Sequence, residues 1–149
     1  MSTPFADFRR VEEIKAPDAG KSGHIDIVQI TGLFFDAFMS YLVPGLGLER
    51  TAVFSPTGRP IVRSTSVDVQ AEIHPGQVLQ VGVRAATRRS RSFTLEGLLA
   101  HDDRPVARGE LVLVTIDPSA GRSIEIPAQL WAAVERVEGR TIAVEPKRA

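Results

Sequence analysis

Residues 18–42, DAGKSGHIDIVQITGLFFDAFMSYL, decide how the rest of the chain is read. A Gly- and Ser-bearing loop with a carboxylate, Asp18, and a histidine, His24, runs straight into the only long, strongly apolar helix pattern. At about 100° per residue, Ile27, Ile30, Phe34, Ala37, Phe38 and Tyr41 share one face. Phe35, Met39 and Leu42 widen it beyond that of a surface helix, and Asp26, Gln29, Asp36 and Ser40 form a narrow polar stripe. A helix this apolar has to be wrapped by other elements, so it is expected at the centre of the core. A polar stripe on a buried helix is costly unless it is paired, wet or functional.

On the N-terminal side, residues 1–7 read as a loose leader and Phe8–Lys15 as a short strand ended by Pro17. Asp26 is placed to cap the helix, where a carboxylate accepts free amides and suits the dipole. Pro44-Gly45 and Gly47 stop the helix after Val43. From Gly58 the period changes to two. Ile61, Arg63, Thr65, Val67, Val69, Ala71 and Ile73 are expected on one face of a long strand, opposite Val62, Ser64, Ser66, Asp68, Gln70 and Glu72. Turns at 74–77 and 101–105 and a basic corner, Arg88-Arg89-Ser90-Arg91, separate strands at Val78–Thr87, Ser92–Ala100 and Val106–Ile116. Leu79, Val81, Val83 and Ala85 are expected on the core side of the first of these. Pro127 opens a short helix over Gln129–Val137, and Thr141–Val144 is a weak strand candidate. One strand, one buried helix and four meandering antiparallel strands make an α+β fold, its sheet curled around the helix.

At 149 residues the chain has the size of one domain, expected over 1–149 with a core of about 8–137 and a polar C-terminal tail. Lys+Arg and Asp+Glu are both 18, which argues against a nucleic-acid or anionic-membrane binder. There is no cysteine, so thiolate chemistry and disulfides are excluded. His24, His74 and His101 lack ligand spacing, and no metal site is expected. The N-terminus lacks a signal-peptide core, and the apolar helix carries Asp36 and meets Pro44 too early to span a bilayer. A cytoplasmic protein is expected.

These features resemble the hotdog-fold thioesterases of the 4-hydroxybenzoyl-CoA thioesterase-like branch, over roughly residues 8–137. The resemblance is carried by Asp18…Gly23-His24-Ile25-Asp26…Phe34-Phe35-Asp36-Ala37, similar to that family's DxDxxGHxN loop and following helix. Pro60–Arg63, Pro75-Gly76-Gln77, Arg91–Glu96, Val106–Asp117 and Gly121-Arg122 follow as strand signatures in the same order. Without gaps, Asp18 takes the motif's first Asp, Gly20 stands at the usual acid position and Asp26 replaces the Asn. With a shifted gap, Asp18-Ala19-Gly20 matches an Asp-Ala-Gly form of the loop and Asp18 is itself the acid.

The resemblance implies an acyl-CoA or, less favoured, acyl-carrier-protein thioesterase. It implies no cofactor beyond the coenzyme A of the substrate, and a homodimer or homotetramer with the site at the subunit interface. Thioester hydrolysis needs a carboxylate as base or nucleophile. It also needs donors for the carbonyl oxygen, which free amides at a helix N-terminus supply. Gly23 and Ile25 are the expected oxyanion and substrate contacts. Asp18, Asp26 and Asp36 are the candidate acids, ranked in that order, with His24 orienting substrate or acid. Asp26 and Asp36 lie roughly 15 Å apart along one helix, so both cannot touch one carbonyl within a subunit. Each also has a plain alternative: Asp18 as a turn residue, His24 and Asp26 as caps, Asp36 as a solvated or dimer-paired carboxylate. Arg88, Arg89 and Arg91 are the candidate grip for the coenzyme A phosphates, or else a solvated turn. Two rivals are a hotdog dehydratase or hydratase and a non-catalytic thioester-binding module.

Overall fold

The computed structural model describes residues 4–146. Its elements are β1 (Arg10–Lys15), α1 (Ile27–Leu42), α2 (Arg50–Val53), β2 (Arg59–Val69), β3 (Val78–Arg88), β4 (Ser92–His101), β5 (Arg104–Asp117), β6 (Arg122–Ser123) and α3 (Ala128–Glu138). All strands join one antiparallel sheet ordered β1-β3-β4-β5-β2, with the short β6 added beside β5. The meander expected from the turns holds for β3-β4-β5 alone. β2 crosses over to pair with β5 and becomes an edge. The curled sheet around one helix is the hotdog arrangement.

α1 buries Ile30, Phe34, Phe38, Tyr41 and Leu42 against the concave face. Phe34 sits where β4 and β5 pair Gly97 with Gly109. A Cβ on Gly97 would stand 2.7 Å from the ring, and one on Gly109 2.9 Å. Those glycines let the helix lie close to the sheet, and the ring fills the space they leave. Ile27 and Phe35, expected on the buried face, are 51% and 44% exposed. Phe35 lies about 100° round the helix from Phe34, outside the arc the sheet covers, while Ile27 is in line with Phe34 but is the first residue of the helix.

The leader is not loose where it is described. Phe5 is buried and packs with Phe8, Leu98 and Ala100. The two phenyl rings meet edge to face at 5.7 Å. Phe8 thus belongs to a cover on the convex face rather than to β1, which starts at Arg10. Gly82 makes room for that cover. Thr141–Val144 forms a single bridge between Val144 and Arg88, not a strand.

β2 departs furthest from its reading. Its ladder with β5 carries a bulge between Val62 and Ser64, at Arg63. A bulge adds one residue and reverses the alternation beyond it. Ile61 therefore shares a face with Ser64, Ser66 and Asp68, and not with Thr65, Val67 and Val69. Along the strand every residue but the buried Pro60 and the half-buried Val67 is exposed. Ile73 is buried, but beyond its end.

Candidate active site

The loop before α1 is built as a closed knot of hydrogen bonds. The Gly20 amide donates to the His24 carbonyl (3.1 Å), and the Gly23 amide to the Gly20 carbonyl (2.9 Å). Gly23 has φ +81°, a conformation glycine adopts without steric cost. Asp26 caps the helix as the sequence predicts. Its Oδ1 accepts from the Gln29 amide at 2.9 Å, while Gln29 Oε1 accepts from the Asp26 amide at 3.0 Å. Gln29 Nε2 also donates to the Asp18 carbonyl at 2.8 Å, which ties the start of the loop to the helix.

This arrangement brings Asp18, Gly20 and Asp26 together around Gln29. A Cβ on Gly20 would lie 2.7 Å from Asp26 Oδ2, so that oxygen occupies the room a side chain at position 20 would need. A side chain at 20 would require the Asp26 carboxylate to shift from its present position. The Asp18 carboxylate is exposed and has no partner among the described residues. His24 is held outward, its Nδ1 3.2 Å from Glu72 beyond the end of β2.

The amides expected as oxyanion donors divide into two groups. Those of Gly23 and Asp26 are engaged inside the loop and cap. Those of His24, Ile25, Ile27 and Val28 have no acceptor among the described residues, and the exposed Ile27 and Val28 lie at the positive end of the helix. Ile25 itself is buried in the core. Asp36 lies elsewhere, on the flank of α1 facing β1, where it lines a cavity of about 240 Å³ with Glu12, Ile14, Leu33 and Ser40. The structure does not bring it to the loop of the same chain.

The basic corner is split. Arg88 lies on the Trp131 ring, 4.7 Å from its centroid, and donates from Nε to the Arg89 carbonyl at 3.1 Å. Burial holds its pKa below the ordinary value. Arg89 and Arg91 face open cavities, joined by a residue the sequence pattern does not single out, Arg63. Strict alternation sets it on the face of Thr65 and Val67, and no pattern in the sequence announces the bulge.

The model of the thioesterase-like superfamily matches residues 18–134. The chain belongs to the thioesterase-like superfamily. The match starts at Asp18, so the loop, the capped helix and the whole sheet from β2 to β5 lie inside it. The curled sheet also aligns with solved structures. A 1,4-dihydroxy-2-naphthoyl-CoA thioesterase from Synechocystis is 18% identical, with TM-score 0.74, covering 83% of this chain and 93% of that one. A thioesterase from Thermus thermophilus, complexed with coenzyme A and Zn, is 20% identical, with TM-score 0.70, covering 92% and 99%. A Staphylococcus aureus protein solved in complex with CoA is 13% identical, with TM-score 0.77, covering 92% and 89%. At these identities the likeness is one of fold. A comparison with curated proteins finds no significant match. Among the described residues, no helix of this superfamily member is long and apolar enough to cross a membrane.

Proposed function

We propose that this chain is an acyl-CoA thioesterase that works as a homodimer or higher homo-oligomer. The observation that carries the reading is the superfamily match running through the loop and capped helix that hold carboxylates beside free amides. A thioester carbonyl over the His24–Val28 amides finds donors already aimed at the oxygen that gains charge. A carboxylate of the same loop takes a proton from water as the water oxygen bonds to the carbonyl carbon. The C–S bond then breaks, and the thiolate leaves with that proton. Asp18 and Asp26 are the loop carboxylates, and Asp36 reaches a thioester only from a second copy.

The dimer rests on exposed apolar surface. Ile61 and Val62 on the β2 edge are 40% and 43% exposed, and Val28 on α1 is 77% exposed. A long edge strand left open with exposed apolar residues is an aggregation hazard, and pairing with a second copy removes it. The same pairing completes the site. From Arg63 to Val69, β2 spans about 20 Å at ~3.3 Å per residue, and the loop's His24 meets Glu72 three residues further on. Two antiparallel β2 edges paired about their middle set the basic corner of one copy beside the loop of the other. Arg89, Arg91 and, on its far side, Arg88 are then within reach of a substrate's phosphates.

The test is thiol release from a panel of aryl-, short- and long-chain acyl-CoAs, followed by Asp→Asn at positions 18, 26 and 36. The acting carboxylate is expected to lose on the order of 100-fold or more in kcat. If the wild type hydrolyses no member of the panel, a thioester-binding module replaces the enzyme. If only Asp36→Asn is inactive, the chemistry belongs to the helix flank and the loop assignment falls.

A further inference from the structure

We infer that Gln29 is a positioning residue, whose side-chain amide sets where the loop carboxylates of Asp18 and Asp26 stand relative to the start of α1. The inference rests on the thioesterase reading and names the residue through which the loop acids are placed. Gln29 is half-buried at the third position of the helix. Its backbone amide donates to Asp26 Oδ1 at 2.9 Å, and its Oε1 accepts from the Asp26 amide at 3.0 Å. Those two bonds form a capping box and serve the helix. The third bond, from Nε2 to the Asp18 carbonyl at 2.8 Å, joins residues eleven apart and adds nothing to the cap. The two backbone partners also fix which end of the amide is which, since one only donates and the other only accepts.

The third bond falls where the loop has no other support. On the sheet side, the buried Ala16 is anchored by its amide to the Gln77 carbonyl at 2.8 Å. Internal bonding of the loop resumes with the Gly20 amide on the His24 carbonyl. Between these anchors, among the described residues, no other hydrogen bond ties Pro17, Asp18 or Ala19 to another segment. The exposed Asp18 carboxylate therefore takes its place from its own backbone, and that backbone from Gln29.

The same side chain borders the second acid. A Cβ on Gly20 would stand 3.0 Å from Gln29 Oε1 and 2.7 Å from Asp26 Oδ2, so the bare backbone of Gly20 lies against both. Asp26 commits Oδ1 to the cap and turns Oδ2, which has no hydrogen bond among the described residues, toward the loop. One amide thus holds the segments that carry both acids. A misplacement of about 1 Å in such a group costs on the order of 100-fold in rate.

The experiment compares Gln29→Glu and Gln29→Met with the wild type. Glutamate keeps an oxygen for the Asp26 amide and suits the first turn of a helix, so the cap survives. It has no proton for the Asp18 carbonyl, so the tie to the loop is lost. Methionine is similar in length, carries no charge and loses both side-chain bonds. In hydrolysis of an acyl-CoA, both variants are expected to lose about 10-fold or more in kcat, with KM within about twofold. Melting should separate them, with Gln29→Glu at or above the wild-type Tm and Gln29→Met below it. Amide exchange read by NMR needs no substrate: in Gln29→Glu, the Gly20 and Gly23 amides should exchange severalfold faster while those of Phe34 and Phe38 do not change. Full kcat in Gln29→Glu, or a loss confined to KM, reduces the side chain to a helix cap and overturns the inference. Full kcat in Gln29→Met overturns it as well, because any loss in Gln29→Glu then belongs to the added charge. If the wild type hydrolyses no thioester, the thioesterase reading falls and the exchange result decides alone: faster loop exchange keeps the positioning role, and unchanged exchange removes it.

Discussion

β4 and β2 are adjacent to the same strand, β5, and both alternate with period two, yet they live in different environments. In β4 every second residue from Phe93 to Leu99 is buried, and Gly97 takes the Phe34 ring against its backbone. In β2 the same kind of pattern leaves nearly the whole strand exposed. Alternation reports that a segment is extended and two-faced; it does not say that anything lies on either face. Coverage comes from α1, whose single apolar arc fills the centre of the sheet and, at β2, half-buries only Val67. The contrast is thus between a strand covered within the chain and an edge strand left largely in solvent.

The largest effect is expected where the centre is tightest. Phe34→Ala removes the ring that fills the space over Gly97 and Gly109, and glycine cannot grow to replace it. A loss of about 3–5 kcal/mol is expected in denaturant unfolding, the usual cost of emptying a large aromatic site. A loss below about 1 kcal/mol would mean that the helix does not sit on the glycine pair.

Next comes the polar anchor at the far end of α1. Tyr41 donates its hydroxyl proton to the buried carboxylate of Glu138, which also accepts from the Ala85 amide at 3.0 Å. Tyr41→Phe leaves that carboxylate underserved, at a cost of about 1–3 kcal/mol. Burial first, and then Glu138, push the Tyr41 pKa far above its ordinary value of 10.0. The folded chain holds this proton more tightly than the unfolded chain. Its contribution is complete below about pH 10 and falls as pH rises beyond it. Melting curves on both sides of pH 10 should show that fall in the wild type and lack its Tyr41 part in Tyr41→Phe.

What was legible in the sequence divides along the same line. The Asp26 cap, the length of α1 and the central strands could be read because each follows from local chemistry repeated over several residues. The bulge at Arg63, the crossover of β2 and the packing of Phe5 and Phe8 on the convex face could not. Each depends on which distant segment lies alongside. The candidate site shows both cases. Asp18, His24 and Asp26 were visible as a loop motif, while the close approach of position 20 to the Asp26 carboxylate needed the fold to bring them together. Arg63 was hidden for a related reason, since one extra residue in a ladder leaves no mark on composition or periodicity.

The smallest effect on stability is expected at the edge, and it separates the two regions most directly. Val62 and Leu113 are partners across the β2–β5 ladder, one 43% exposed and the other 1%. Lysine at position 113 would bury an unpaired charge in the core, and the chain should not fold. Lysine at position 62 keeps its ammonium in solvent, so the stability of the single chain should move by no more than about 0.5 kcal/mol. It does add a charge to the edge that two β2 strands would share, and charged residues are a common device against edge pairing. Light scattering at micromolar concentration should therefore give an oligomer for the wild type and a folded monomer for Val62→Lys. If thioester hydrolysis needs the partner's corner, the same variant should lose activity on acyl-CoA while melting like its parent. A wild type that is already monomeric would break the comparison at its root, because β2 would then be a naturally open edge with nothing to complete it.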